Sequence, residues 1–411
     1  MTKLAIVRCD PQKTLKCSKE TLKNIEKHKW VYLVPPKGQI KIPITSTLPK
    51  GEGIIISSGG SIGGPNLCFQ LTENLTNSAL ATAKWLEKYG INPKECIILN
   101  SLPFHHVSGF MPWWRHRIWG TMHYWISSSM MHEPIKLEKF SRELANKYRR
   151  PLITSLVPTQ LVSLIDDNYG LKWLKSLSMI WVGGASIPTD LANRARREAI
   201  NLAPCYGTTE TTAMVTCLSP RDFLKGFDSV GFPLEDVEIN VNKSNLLKIK
   251  TNRIALLKWK NNQYESVADS DGWWEAGDLA QYLILKNKKA LQIIGRRDLA
   301  VNSGGETIYP EDIEMKLMTL IRNNQVPIKD IFILGIEDQK WGQRIVALIR
   351  FKEEKINKSQ IVSLLTQLIQ TWQPSTKPFH WYDCPKLSRN LNGKWELKKW
   401  QDWIDINLPI S

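Results

Sequence analysis

From residue 53 to residue 197, short apolar runs alternate with amphipathic or basic stretches, and that alternation narrows the fold more than any other feature of the chain. Residues 53–56 have the apolar character of a buried strand and end in a polar, Gly-rich turn. Residues 72–89 place Leu75, Ala79, Ala83 and Leu86 near one face, which predicts a helix. A strand at 97–99, a helix near 137–148, a strand at 152–156, a helix from Pro158, a strand at 179–182 and a basic helix after Pro188 continue the pattern. Strands alternating with helices predict a mostly parallel α/β sheet. From about residue 226 the texture changes. Runs at 237–241, 246–249 and 254–259 alternate as a small antiparallel β unit would. After Asp298 the chain returns to mixed α/β, with strands at 331–334 and 345–351 and a helix across 358–369. The first fifty residues read as irregular, apart from a strand-like run at 30–34.

Composition removes several classes. A chain of 411 residues is long enough for two or more domains and a large core. No apolar run is long enough to cross a bilayer, and the N-terminus lacks a signal-peptide pattern, so a cytoplasmic protein is expected. The seven cysteines are scattered, with no C-x-x-C pair, which favours reduced structural thiols over a zinc site. The net charge of +16 is spread along the chain without blocks. That spread argues against nucleic acid and suits either small anionic ligands or a solvated surface.

Several short segments carry chemistry-bearing residues. The turn Ser57-Ser58-Gly59-Gly60-Ser61-Ile62-Gly63-Gly64-Pro65-Asn66 would let backbone N–H groups approach a phosphate, although no Gly-Lys-Ser/Thr makes it a Walker loop and a flexible turn is the plainer alternative. Leu102-Pro103-Phe104-His105-His106-Val107-Ser108-Gly109 holds adjacent histidines, which on a strand point apart and would not share a metal. In Trp113-Trp114-Arg115-His116-Arg117, an Arg between aromatic walls suits carboxylate recognition, and a snorkelling surface Arg fits the local pattern equally well. Val182-Gly183-Gly184-Ala185-Ser186-Ile187-Pro188 reads as strand, tight turn and helix start. Pro204-Cys205-Tyr206-Gly207-Thr208-Thr209-Glu210-Thr211 is either a ligand loop or a polar loop with a helix-capping Thr. Asp271-Gly272-Trp273-Trp274-Glu275-Ala276-Gly277-Asp278 ends in a carboxylate that a solvated turn would also explain. Ile293-Ile294-Gly295-Arg296-Arg297-Asp298 precedes a Gly-rich turn and a helix start at Pro310, and Asn392-Gly393-Lys394 closes a late basic turn.

In this order the segments resemble the adenylate-forming (AMP-binding) superfamily, which includes the acyl-CoA ligases, over about residues 53–400. The resemblance implies a large N-terminal AMP-binding domain, 1–297, with 226–297 as its small β subdomain. A smaller mobile α/β lid, 298–411, would follow and turn at the hinge residue Asp298. It implies ATP, Mg²⁺ and coenzyme A. Ser58, Gly59, Gly60, Ser61 and Gly63 fall on the family's phosphate loop, with Ile62 where a hydroxyl is usual and Asn66 where a lysine is usual. Tyr206 would stack on adenine, bordered by Gly184, Gly207 and Thr208. Thr209 would donate to the α-phosphate, Glu210 would hold Mg²⁺, and Asp278 with Arg296 would take the ribose. Gly183 and His106 would border the acyl pocket, and Lys394 would bridge the attacking carboxylate and the α-phosphate.

The string His106-Val107-Ser108-Gly109 followed by Trp114-Arg115 looks like that of the 2-succinylbenzoate–CoA ligases of menaquinone and phylloquinone biosynthesis. Their substrate has two carboxylates, and Arg115 would meet the one that does not react. The resemblance leaves open another aryl- or fatty-acyl-CoA ligase, a stand-alone adenylation domain that loads a carrier protein, and an ATP-binding descendant without activity. It implies a small carboxylate, ATP and CoA as partners, and it is compatible with a homo-oligomer.

Overall fold

The strands Ile97–Asn100 and Met179–Val182 are buried along their whole length and Leu152–Leu156 nearly so, as runs without a polar face require. In the computed structural model, which describes residues 3–37, 48–58, 66–260, 263–353, 356–390 and 395–407, they form the middle of a seven-stranded sheet. Its order is Phe232–Pro233, Ala213–Cys217, Leu202–Thr208, Met179–Val182, Leu152–Leu156, Ile97–Asn100 and Met122–Trp125. Leu202–Thr208 through Met122–Trp125 run parallel, while Ala213–Cys217 folds back antiparallel on Leu202–Thr208.

A six-stranded sheet is built from Lys3–Arg8, Lys29–Val34, Gly53–Ser58, Asn66–Leu71, Leu257–Lys260 and Gln263–Ser266. Between the two sheets lie the helices Thr72–Glu87 and Val107–Trp119, joined by a Trp119 Nε1 bond to the Ala79 carbonyl at 2.9 Å. Phe110, Met111 and Trp114 of the second helix pack on Val31, Leu33, Ile54 and Ile56 of the six-stranded sheet. Its Arg115 reaches the other way, over Trp181 of the seven-stranded sheet. A four-stranded antiparallel sheet follows, in the order Val237–Val241, Leu246–Thr251, Trp273–Leu285, Lys288–Arg296. The fourth sheet is mixed and holds Glu306–Ile308, Val301–Ser303, Gly342–Phe351, Ile328–Asp338 and Trp381–Asp383. Helix Pro310–Asn323 buries Ile313, Leu317 and Ile321 against it. Among the described residues no helix is long and apolar enough to cross a membrane.

Two expectations need correction. Residues 3–34 are not irregular: strand Lys3–Arg8, helix Thr14–Ile25 and strand Lys29–Val34 lead in parallel order to Gly53–Ser58. Besides Ile25 that helix buries Cys17, Ser18 and Thr21, small or polar residues that leave a weak apolar stripe. The run at 254–259 does not belong to the small antiparallel sheet either. Its strand begins at Leu257 and pairs with Asn66–Leu71, because alternation fixes a strand's faces but not its neighbour.

Candidate active site

In parallel α/β sheets, ligands collect beyond the carboxyl ends of the strands. Gly183 and Gly184 follow Met179–Val182, His105 and His106 follow Ile97–Asn100, and Tyr206, Gly207 and Thr208 end the strand Leu202–Thr208. Gly207 is obligatory there, since a Cβ would lie 2.0 Å from the Ala213 carbonyl oxygen across the hairpin. Gly183 is crowded too, with a Cβ position 3.1 Å from the Cys205 sulfur.

A chain of polar contacts starts at Tyr206. Its phenol donates to Asp278 Oδ2 at 2.5 Å, and Arg296 Nη1 donates to Asp278 Oδ1 at 3.4 Å. Asp278 and Arg296 stand directly opposite each other in the antiparallel ladder of Trp273–Leu285 and Lys288–Arg296. Arg296 also grips Asp298 with two bonds, of 2.8 and 3.0 Å. Burial and the Asp278 carboxylate push the Tyr206 phenol well above its ordinary pKa. Burial works against the Arg296 charge, but Asp298 and Asp278 outweigh it and hold that pKa above the usual value.

Ser58 and Glu210 come from different sheets and meet at one thiol. Cys68 interacts with both, and burial together with the Glu210 carboxylate raises its pKa. Glu210 also lies within electrostatic reach of Tyr206. Thr209 and Glu210 sit in the turn between Leu202–Thr208 and Ala213–Cys217, where Thr208 N–H is capped by Thr211 Oγ1 at 3.1 Å. Ser58, Tyr206, Glu210, Asp278, Arg296 and Asp298 are thus gathered in one region. Gly59, Gly60, Ser61, Gly63 and Lys394 lie outside the described residues.

Arg115 is 4% exposed, and its guanidinium lies 5.1 Å from the Trp181 ring centroid. It makes no hydrogen bond or ion pair among the described residues, and Nε is buried without a partner. Burial lowers its pKa to about 10, with the Cys205 thiol and Arg253 as charged or titratable neighbours, so it stays protonated at neutral pH. The snorkelling alternative fails for Arg115; the neighbouring Arg117 is the exposed one, resting over Trp113.

The two histidines depart from expectation. They lie in a turn, not a strand, and their rings are 4.2 Å apart, so they do not diverge. His106 is the residue before the helix Val107–Trp119, while His105 is buried and drops to a pKa of about 4 for that reason. Among the described residues, no three His, Cys, Asp or Glu side chains cluster as a metal site.

Two groups of residues gave no signal in the sequence. Glu311, in the first turn of Pro310–Asn323, is close enough to Asp278, Arg296 and Asp298 to feel their charges. Gln70, Thr212 and Arg253 stand behind the Thr209–Glu210 turn, each fully buried. The bonds of Gln70 to Thr209 and of Thr212 to Gln70 and Arg253 span 41 to 142 residues of sequence, a separation no local pattern reports.

The family model described as AMP-binding enzyme matches residues 10–250, more than half of the chain. The 2-succinylbenzoate–CoA ligase of Escherichia coli strain K12 is 28% identical over 306 residues, covering 74% of this chain and 60% of that protein. The enzyme of the same name from Haemophilus influenzae is 30% identical over 315 residues, covering 73% and 62%. The matches therefore span less than two thirds of these relatives' length. Among solved structures, the o-succinylbenzoate CoA synthetase of Bacillus subtilis in complex with its acyl-adenylate intermediate has a TM-score of 0.71 at 19% identity, covering 98% of this chain and 88% of that one. The same enzyme in complex with ATP and magnesium gives 0.69 at 18%, covering 98% and 89%. At such identities the structural likeness speaks for the fold. With the fold and the model match in agreement, the chain belongs to the AMP-binding enzyme family.

Proposed function

We propose that the chain is an AMP-forming acid–thiol ligase that activates 2-succinylbenzoate and passes the acyl group to coenzyme A, in the route to menaquinone or phylloquinone. Arg115 carries the proposal. It is a buried cation without an anion among the described residues, over Trp181 of the strand that leads to Gly183. A buried unpaired charge is costly, and the second carboxylate of a dicarboxylic substrate would relieve that cost. A monocarboxylate would leave it unmet. The names of the bacterial relatives and the acyl-adenylate in one Bacillus subtilis structure support the same substrate, and the ATP and magnesium in another support the nucleotide.

In the first half-reaction the reacting carboxylate attacks the α-phosphorus of ATP. An acyl–phosphate anhydride forms, and the bond to pyrophosphate breaks. In the second, the CoA thiolate attacks the acyl carbon and AMP leaves. Tyr206 offers a ring face to adenine, and Asp278 and Arg296 offer an acceptor and a donor to the ribose. Ser58 and Thr209 are hydroxyl donors for phosphate oxygens. Glu210 and Thr209 are oxygen ligands of the kind Mg²⁺ takes, and Glu210 makes no ion pair among the described residues. The bound ion would offset phosphate charge. By family resemblance Lys394 stands between the two anions that must meet, His106 borders the acyl pocket, and 298–411 moves as a lid about Asp298. A cytoplasmic location goes with this reading.

The test is pyrophosphate release with ATP and Mg²⁺ across 2-succinylbenzoate, benzoate, medium-chain fatty acids and amino acids, with and without CoA, and products identified by mass. Release with 2-succinylbenzoate alone, giving its CoA thioester, is the expected result. Turnover of a different acid would reject the substrate, and release with none would reject the reaction.

A further inference from the structure

Thr212 and Ala213 have φ of 54° and 75°, two consecutive non-glycine residues in the left-handed region. Such backbone is costly and persists only where its surroundings over-determine it. Here it closes the turn that presents Thr209 and Glu210.

The surroundings are specific. Gln70 Nε2 donates to the Thr209 carbonyl at 2.6 Å, and Ala255 N–H donates to the Glu210 carbonyl at 2.7 Å. Ser78 Oγ donates to the Thr212 carbonyl at 2.6 Å. The Thr212 hydroxyl lies 2.7 Å from both Gln70 Oε1 and the Arg253 carbonyl oxygen. Arg253 in turn donates to Ser78 Oγ at 3.1 Å and to the Met214 carbonyl at 2.7 Å. Its charge is met by Asp236 through bonds of 2.6 and 3.2 Å. Each backbone carbonyl at 209, 210 and 212 therefore has a donor from outside the turn. The Glu210 carboxylate itself meets the Cys68 thiol and lies within electrostatic reach of Tyr206.

We infer that Gln70, Thr212 and Arg253 form a positioning network that fixes Thr209 and Glu210 and so sets the metal dependence of adenylation. The inference rests on the function proposed above. All three residues are 0% exposed, so none can touch a nucleotide, and they act only through the turn. A reacting group misplaced by about 1 Å can lose on the order of 10²-fold in rate. A network that holds the carbonyls and leaves the side chains to the ligand prevents that loss.

Thr212→Val keeps the branched shape and removes the hydroxyl, and Thr212→Ser restores it. Pyrophosphate release would be followed against Mg²⁺ concentration, with thermal unfolding as a control. In the valine variant, half-maximal adenylation should need about tenfold more Mg²⁺, and the serine variant should return to within about twofold of wild type. Thioester formation from supplied acyl-adenylate should change by less than about twofold in both. Gln70→Met attacks the Thr209 carbonyl contact independently, and it decides the matter should Thr212→Val not fold. Loss of both half-reactions in equal measure with wild-type Mg²⁺ dependence would overturn the network, as would a serine variant no better than valine. Mn²⁺ affinity in the presence of ATP, read by water proton relaxation, separates this inference from the reaction itself. If wild type releases no pyrophosphate with any acid, the proposed reaction fails. Weaker Mn²⁺ binding in Thr212→Val would still support the network, and equal binding would end it.

Discussion

Two guanidiniums are buried near one another in this protein, and their surroundings differ in one respect. Arg253 has the Asp236 carboxylate and two further acceptors, whereas Arg115 has the face of an indole. Breaking a satisfied buried pair is strongly destabilising, while removing an unpaired buried charge costs little or even stabilises. Arg115→Leu should therefore leave the unfolding temperature unchanged or raised. The same change removes charge-assisted hydrogen bonds to a second carboxylate, worth about 1.5–3 kcal/mol, so KM for 2-succinylbenzoate should rise roughly 10- to 100-fold. KM for ATP should hardly move. Unfolding at lower temperature with unchanged KM would make Arg115 a structural residue. The residue type was legible from Trp113-Trp114-Arg115, but its burial was not. Which face of the helix Val107–Trp119 meets a second sheet depends on tertiary packing, and Arg115 and Arg117 look alike in the sequence.

Helix Pro310–Asn323 begins with Pro310 at its first position and acidic residues in its first turn, a start suited to the helix dipole. Burial nevertheless raises Glu311 to a pKa of about 7, with the Glu314, Asp278 and Asp298 carboxylates adding to it and Arg296 opposing. A carboxylate whose pKa rises on folding binds more protons in the native state, so stability falls as pH climbs from 4.5 toward 7 and is flat above. Glu311→Gln removes that penalty. It should match wild type below pH 4.5 and exceed it above pH 7, by at most about 3 kcal/mol. Parallel unfolding profiles from pH 4 to 8 would remove Glu311 from the charged cluster. At this scale the sequence was informative where local period decided the structure. Met179–Val182, Leu152–Leu156, Val237–Val241 and the helix start at Pro310 all lie where periodicity and punctuation put them. It was uninformative where a partner decided it. The strand Leu257–Lys260 joins a sheet nearly two hundred residues upstream, and helix Thr14–Ile25 hides its buried face in Cys, Ser and Thr.

Among the described residues, the sheet that follows Asp298 touches the rest of the molecule through few ion pairs. Arg322 pairs with Asp190 of helix Thr189–Arg197, and Arg296, at the end of the preceding strand, grips Asp298 at 2.8 Å. Part-exposed pairs of this kind are worth about 1 kcal/mol or less, a barrier a substrate can overcome. Within that unit the ties are closer. Glu314 is buried and accepts bonds from both Arg389, two residues before 391–394, and Trp395, which follows it. A motion of helix Pro310–Asn323 therefore carries both flanks of the segment that contains Lys394. If 298–411 turns about Asp298 between half-reactions, Lys394 acts in one arrangement only. Its cation would screen the repulsion between the attacking carboxylate and the α-phosphate, a term whose loss costs roughly 10²–10³ in rate. Lys394→Ala should lose adenylation by about that factor and should still form thioester from supplied acyl-adenylate and CoA. A comparable loss in both half-reactions would mean that the lysine serves both arrangements or neither, and the proposed turn about Asp298 would lose its purpose.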